Sequence, residues 1–281
     1  MAALLRKLRE DAGVSAEEAY RTISVSKHTL WRMETGQMTK YAPHTVKALC
    51  ELYRATADDT QVAMVLAEES KVKSWWLAFD DTMPAGFAYF IGLEEAADRI
   101  WTYQNTLLPG LVQTADYRRA LAWVEVPNMP TEEVERRVEL SMKRQERLTN
   151  SRNPLKLSIL LDEAILHRPI GGRRVMSEQL RHLAEVGSLP NVSIRVVPIS
   201  AEAYLGLASQ LFVVFDFPLH PTARLTVPPV IFVQGFLGDV YLESETEVRL
   251  YREAYAAIER VALDEDASCA LILRVAEELS E

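Results

Sequence analysis

The sequence has only two cysteines, Cys50 and Cys269, which lie far apart and form no CxxC pair. A disulfide framework or a cysteine zinc site is therefore not expected, and a reducing cytoplasm fits this composition. No apolar run approaches the ~20 residues that are needed to cross a bilayer. The first residues carry a charge every few positions rather than a continuous apolar stretch, so no signal peptide is expected. We predict a cytoplasmic protein with no membrane partner.

Common enzyme motifs are also missing, since the chain contains no GxGxxG, Walker loop, HExxH or GxSxG. Its five histidines offer no i,i+4 pair for a metal ion; they are His28, His44, His167, His182 and His220. Asp162 and Glu163 end a predicted strand and are the best catalytic candidates, but neighbouring strand residues point to opposite faces. Capping the next turn, or pairing with Arg168 or Arg173, is the favoured role. We predict no enzyme activity, no catalytic residue, no metal site and no cofactor.

A possible anion site lies just after these carboxylates, at Gly171 and Gly172. Arginines flank the two glycines, and successive backbone N–H groups in such a turn can hold an anion. A plain turn is the favoured alternative.

The length of 281 residues favours two domains, and 48% hydrophobic with 25% charged residues is typical of folded globular proteins. The net charge of −9 is distributed unequally. Residues 1–56 carry nine basic and six acidic side chains, a net charge of +3, whereas the remainder carries 22 basic and 34 acidic ones, a net charge of −12. We call the basic N-terminal segment the head and the acidic remainder the body. This charge distribution indicates that the head alone binds an anionic partner.

Capping signals predict five helices in the first 70 residues. Ser15 with Glu18 three residues later forms a capping box for a helix over 16–22, and Ser26 is a good N-cap for a helix over 27–34. Pro43 suits the first turn of a fourth helix, and Asp58 or Asp59 would cap a fifth. Two short helices joined by a tight turn within such a bundle indicate a helix-turn-helix.

The stretch LRKLREDAGVSAEEAYRTISVSKHTLWRMETG resembles the Xre-type helix-turn-helix of phage repressors, a lambda-repressor-like bundle. The matching features are the LRxLRE opening, Gly13, Ser15, Glu18, Val25-Ser26, Leu30 and Glu34-x-Gly36. The resemblance implies double-stranded DNA as a partner. It also implies a structural ion pair between Arg9 and Glu34. Ser24 stands where the family has its turn glycine.

The exposed start of the third helix is the expected reading surface for DNA. Base contacts are assigned to Lys27, His28 and Arg32, because Arg and Lys donate to guanine acceptors. Thr29 and Trp31 lie nearby; Trp31 either packs against the neighbouring helix or stacks on a sugar. Phosphates would be held by the N-termini of the helices that start at Ser15 and Ser26, and by Lys40 and Lys47. The alternative is that all these residues are simply solvated.

The body, residues 71–281, is predicted to be mostly helical over 71–150 and mixed α/β over 151–281. A helical stretch is expected over 92–104, and a heavily charged helix over 131–148 suits dimer formation, domain bridging or, equally, packing on its own domain. Five strands follow, over 155–161, 192–197, 211–217, 230–233 and 240–242. A final helix is expected over 271–279, after Cys269. The fold class is therefore α+β: an all-α head and an α/β body with a small sheet flanked by helices.

Several short sequence motifs of the body resemble the C-terminal domain of WhiJ-like actinobacterial regulators. These are Leu108-Pro-Gly-Leu-Val-Gln-Thr114 with Tyr117, Arg144-Gln145 with Leu148, Asp162-Glu163 with Leu166, Arg168 and Gly171-Gly172, and Gln179-Leu180 with Leu183. The resemblance implies a regulator whose body senses a partner protein or ligand, and some of its relatives are antitoxin-like with a small partner protein encoded nearby.

Three hypotheses follow from this reading. The first is a DNA-binding transcriptional regulator that acts as a homodimer. The second is an antitoxin-like module that captures a small partner protein. The third is ligand sensing by aromatic residues that are more often core, namely Trp75, Trp76, Phe79, Phe87, Tyr89 and Phe90.

Overall fold

The computed structural model describes residues 1–35, 40–70, 74–84, 86–219, 226–235 and 238–281. The chain divides into two compact units, Met1–Leu77 and Ala78–Glu281, which are described one at a time. Gly36 and His220 lie outside the described residues. Within the described ranges, no helix has the length and apolar character that a membrane crossing requires.

The first unit is the predicted five-helix bundle. Its helices are α1 (Ala2–Asp11), α2 (Ala16–Thr22), α3 (Lys27–Glu34), α4 (Pro43–Leu52) and α5 (Ala57–Glu69). The serine caps predicted for α2 and α3 are both present, because Ser15 Oγ accepts from the N–H of Glu18 and Ser26 Oγ accepts from the N–H of Thr29. The aspartate cap predicted for α5 is wrong. Thr56 is the N-cap, since its hydroxyl accepts from the Asp59 N–H at 3.1 Å and donates to the Asp59 carboxylate at 2.7 Å.

The core of this unit forms where one face of each helix meets the others. Its fully buried side chains are Leu5, Ala19, Leu30, Met33, Val46, Leu49, Cys50, Ala63 and Ala67. The turn between α2 and α3 places Ser24 at a φ of 55°, a left-handed conformation that glycine adopts more readily than serine. A strained residue is therefore held in the helix-turn-helix by the packing on both sides of it.

The second unit contains one six-stranded sheet, which confirms the predicted α/β body. Its strands are β1 (Arg99–Gln104), β2 (Lys156–Asp162), β3 (Val192–Val197), β4 (Phe212–Asp216), β5 (Val230–Val233) and β6 (Val240–Leu242). The strand order is β3-β2-β1-β4-β5-β6. Strands β1, β2 and β3 run parallel with Ile100 opposite Leu157, whereas β4, β5 and β6 continue the sheet antiparallel.

Helices cover both faces of this sheet. They are α6 (Phe87–Ala96), α7 (Ala115–Glu125), α8 (Thr131–Gln145), α9 (Arg173–Gly187), α10 (Gly206–Ser209), α11 (Glu245–Glu259) and α12 (Glu265–Glu278). Because side chains alternate along a strand, Leu157 and Ile159 join the core made with α7, α9 and α12, whereas Leu160 joins the core made with α11.

Two predictions about this unit are wrong. The helix expected over 92–104 ends at Ala96, and Arg99–Gln104 is strand β1, which pairs with β2 and β4 at the centre of the sheet. The final helix begins at Glu265 rather than after Cys269, because Asp264 caps it by accepting from the N–H of Ala267.

His182 on α9 makes the stability of the second unit depend on pH. Burial lowers the pKa of His182, and its Nε2 has no hydrogen-bond partner among the described residues. Below about pH 6.5 the unfolded state therefore binds more protons than the folded state, so stability falls as the pH falls, by at most about 1.4 kcal/mol per pH unit for one proton. Urea midpoints at pH 7.5 and 5.5 should differ more in the wild type than in His182→Gln.

The exposed His44, on α4 of the first unit, supplies the control for this prediction. His44→Gln leaves the second unit unaltered, so that unit should keep the pH dependence of the wild type. An equal shift of the midpoint in the wild type and in His182→Gln would contradict the prediction.

Candidate nucleic-acid interface

Helix α3 has an inner face that is set by Leu30 and Met33, each only 1% exposed. Because each residue advances about 100° around an α-helix, His28 lies almost opposite the midpoint of these two side chains. Trp31 and Arg32 lie on either side of His28, one turn further along. The outer face of α3 is therefore made by the side chains of the expected base-reading group.

Four of these side chains are exposed, namely Lys27, His28, Trp31 and Arg32. The indole of Trp31 is 49% exposed and lies against the imidazole of His28, with 5.7 Å between the ring centroids and 31° between the ring planes. The sequence left two alternatives for Trp31, packing against the neighbouring helix or stacking on a sugar. The structure does not show the indole buried between helices.

Ser26 and Thr29 form the N-terminal cap of the same helix. Ser26 Oγ accepts from the Thr29 N–H at 3.0 Å and lies 2.8 Å from the Thr29 hydroxyl. The Thr29 hydroxyl is thus engaged in the cap, and the half-buried Thr29 lies beside the outer face of α3. At α2, the Ser15 hydroxyl likewise accepts from the Glu18 N–H at 3.1 Å.

Lys40 is exposed next to an anchored residue, Tyr41. The Tyr41 hydroxyl donates to the carbonyl of Met33 at 2.9 Å, and the Tyr41 N–H donates to Ser70 Oγ at 2.9 Å. This anchor holds the chain at Lys40 close to the C-terminal half of α3. Sequence reasoning missed Tyr41, because an aromatic residue between two helices carries no signal for a particular carbonyl partner. Lys47 is exposed on α4.

Arg9 and Glu34 join α1 to the last residue of α3. Arg9 Nε and Nη2 donate to the two Glu34 carboxylate oxygens at 2.8 and 2.9 Å, and Arg9 Nη1 donates to the carbonyl of Val14 at 3.1 Å. The Glu34 side chain is only 9% exposed. The hydrogen bond to Glu34 raises the pKa of Arg9. Such a bidentate pair fixes the orientation of α3 relative to α1. The pair is not part of the outer face of α3.

In the second unit, Gln113, Gln145 and Gln179 make side-chain hydrogen bonds to backbone groups of the loop over 108–114. Gln113 Nε2 donates to the carbonyl of Leu108 at 2.7 Å. Gln145 Nε2, on α8, donates to the carbonyls of Gly110 and Gln113 at 3.0 and 2.7 Å. Gln179, on α9, donates to the carbonyl of Val112 at 2.7 Å and accepts from the N–H of Thr114 at 2.6 Å. Buried backbone groups of an irregular loop are thereby satisfied.

The motif arginine Arg144 forms a buried ion pair beside this loop. Its Nε and Nη2 donate to the Glu94 carboxylate at 2.6 and 2.7 Å, and the two side chains are only 9% and 5% exposed. The guanidinium also lies 5.3 Å from the centroid of the Phe87 ring. A Cβ at Gly110 would lie 3.1 Å from Arg144 Nη1, so the loop passes close to the guanidinium. These motif residues hold the fold together rather than forming an open site.

Asp162 and Glu163 are also engaged in structural contacts. Asp162 Oδ1 accepts from the N–H of Ala164 at 2.9 Å, as the favoured capping role requires. Tyr204 Oη donates to Asp162 Oδ2 at 2.5 Å, and Glu163 accepts from the N–H of Ile199 at 2.7 Å.

Neither carboxylate forms an ion pair with Arg168 or Arg173 within the described ranges, and the Arg173 guanidinium donates instead to the carbonyl of Glu278. Gly171 and Gly172, at φ of +72° and +91°, form the turn that leads into α9.

Two of the aromatic residues proposed for ligand sensing, Phe87 and Phe90, pack in the core of the second unit. Phe87 stacks on Phe90, which meets Phe215 and Phe232 edge to face in the core. Two cavities among the described residues are lined by side chains outside this aromatic group. One, of about 680 Å³, runs along α11 beside Pro228 and Pro229, and the other, of about 420 Å³, lies at His167 and Arg168. In the part of the chain that the structure describes, no three metal-ligating side chains come together.

The charged helix α8 packs on its own unit. Val134 and Val138 are buried, and Val134 lies in a cluster with Ala122 and Met129. Within this helix Arg137 and Glu133 form an i,i+4 ion pair at 3.0 Å, whereas Arg136 pairs with Asp81. This is the surface-helix alternative.

Two family models match the chain. Residues 1–63 match a helix-turn-helix domain, so the first unit is a DNA-binding domain of this class. This match supports the function of a DNA-binding regulator. Residues 87–274, more than half of the chain, match the family described as Domain of unknown function (DUF5753), and the chain belongs to that family. No curated protein and no solved structure matches the chain at a significant level.

Proposed function

We propose that the chain is a sequence-specific transcriptional regulator that reads double-stranded DNA with the outer face of α3. The observation that carries this proposal is the arrangement of Lys27, His28 and Arg32 as exposed side chains opposite the buried Leu30 and Met33. In a helix-turn-helix, the N-terminal residues of the second helix reach base edges in the major groove. Guanidinium and ammonium groups donate to the guanine acceptors that are exposed there.

Phosphate contacts would position α3 on the duplex. The helix N-termini at Ser15 and Ser26 present backbone N–H groups and positive dipole ends, and Lys40 supplies a cation close to the C-terminal half of α3. The charge of +3 over residues 1–56 favours this contact, and the charge of −12 over the remainder keeps the rest of the chain away from phosphates.

We further propose that the protein is a cytoplasmic homodimer of the WhiJ-like actinobacterial type and acts without catalysis or cofactor. Helix-turn-helix proteins commonly read two half-sites, one per protomer. The second unit, which carries the phrases typical of that type, would supply the dimer contact and sense a partner protein or ligand. We therefore place the boundary between the DNA-binding domain and the domain for dimer formation and sensing near residue 70.

Binding of the wild-type protein to DNA tests this proposal. Genome-wide mapping of binding sites should return a shared sequence, and gel shifts on that sequence should weaken steeply with salt as counterions are released. A scrambled duplex of equal composition serves as the control. Equal affinity for both duplexes at every salt concentration would refute the proposal.

A second candidate is an antitoxin-like module that captures a small partner protein, with DNA binding secondary. It is supported by the charge of −12 and by the groove along α11, whose lining combines apolar Pro228, Pro229 and Val248 with Glu243, Glu245 and Glu253 and with Arg249 and Arg252. Co-purification from native cells, with Glu245→Lys as the matched variant because Glu245 is exposed, tests it. Recovery of the same partner by both proteins would exclude this groove as the capture site.

A further inference from the structure

Trp31 is the one large apolar side chain on a face of α3 that is otherwise polar. Its indole is 49% exposed, although burying a side chain of this size is strongly favourable. The neighbouring side chains on the outer face are Lys27, His28 and Arg32, which recognise hydrogen-bond acceptors or phosphates. An exposed indole within the proposed DNA-reading surface is suited to contact with an apolar group on the DNA.

The major groove offers one such group, the 5-methyl group of thymine. We propose that Trp31 packs against a thymine methyl and makes one T·A pair a required element of each half-site. This inference rests on the proposed function, because it assigns a base to the same helix face.

The position of Trp31 favours a base contact over a sugar contact. Trp31 lies about 60° around the helix from His28 and about 100° from Arg32, so it falls between the directions of Lys27 and His28. The contact with the His28 ring, at 5.7 Å between centroids, restricts the indole. A side chain that is already ordered loses less conformational entropy on binding, so a small apolar contact adds measurably to affinity.

The test begins with selection of duplexes from a random pool by the full-length protein. Each thymine of the selected half-site is then replaced by deoxyuridine, which removes the methyl group and leaves base pairing unchanged. At one thymine per half-site, the wild type should bind about three- to fivefold more weakly, as expected for one buried methyl group. Trp31→Ala should bind the thymine and deoxyuridine duplexes equally.

Trp123→Ala is the matched control, because Trp123 is 38% exposed on α7 in the second unit. It should retain the methyl dependence of the wild type. If a selected duplex shows no methyl dependence at any thymine, or shows it undiminished in Trp31→Ala, the inference about Trp31 is overturned and the proposed function stands. If selection returns no shared sequence, the proposed function fails with it.

Discussion

Arg144→Met is expected to lower the free energy of unfolding of the second unit by about 3–5 kcal/mol, because it leaves the Glu94 carboxylate buried without its partner. Glu94 is 5% exposed and both its oxygens accept from Arg144. The guanidinium also fills the space beside Gly110, so the loop over 108–114 loses a neighbour. Urea unfolding followed by circular dichroism measures the loss.

An exposed arginine on α9 provides the control for this substitution. Arg174 pairs with Glu178 at 2.8 Å, but its side chain is 73% exposed, so Arg174→Met should cost less than about 1 kcal/mol. Glu94→Leu combined with Arg144→Met should recover part of the stability, because no unpaired charge remains. Equal losses for Arg144→Met and Arg174→Met would show that the buried pair is not a major source of stability.

The combined substitution Lys27→Ala and Arg32→Ala is expected to remove most of the preference for the operator over other DNA. Each lost base contact should cost about 1–3 kcal/mol, so the affinity for the operator should fall by roughly 30-fold to more than 10⁴-fold. Both side chains are exposed on a helix whose core residues are unchanged, so the fold should be retained. Competition gel shifts with operator and scrambled duplexes measure the change.

Loss of two positive charges alone must be separated from loss of base contacts. Arg6→Ala with Lys7→Ala removes the same charge from α1, where both side chains are exposed. This variant should bind both duplexes more weakly by a similar factor and keep its preference for the operator. A preference that stays at the wild-type level after the substitutions at Lys27 and Arg32 would show that these two side chains do not read the operator.

Local signals in the sequence predicted most of the elements. Ser15 and Ser26 both cap helices as expected, because a cap depends only on residues within the same turn. Five strands were found from alternating or continuous apolar runs. Strand β1 was missed because Glu94 to Ala97 are good helix formers and only Asp98 separates them from Arg99. Its pairing with β2 and β4, which are 50 and more residues away, overrides that local preference.

The outward position of Trp31 was open in the sequence, since two alternatives had equal standing. Only packing decides it, because Leu30 and Met33 occupy the core and turn the indole toward solvent. The same holds for the motif residues of the second unit, whose spacing gives no indication of which carbonyl or carboxylate each one meets. Arg144 on α8 pairs with Glu94 on α6, and Gln179 on α9 donates to the carbonyl of Val112 in the loop over 108–114.

The sequence by itself therefore determined the helix-turn-helix, its caps and the α+β class, because these depend on neighbouring residues and on periodic burial. The tertiary structure alone decided that Trp31 faces outward, that Arg99–Gln104 is a strand at the centre of the sheet, and that Arg144, Gln145 and Gln179 satisfy buried groups of the second unit. Those outcomes depend on contacts between residues far apart in the chain, which a local pattern does not encode.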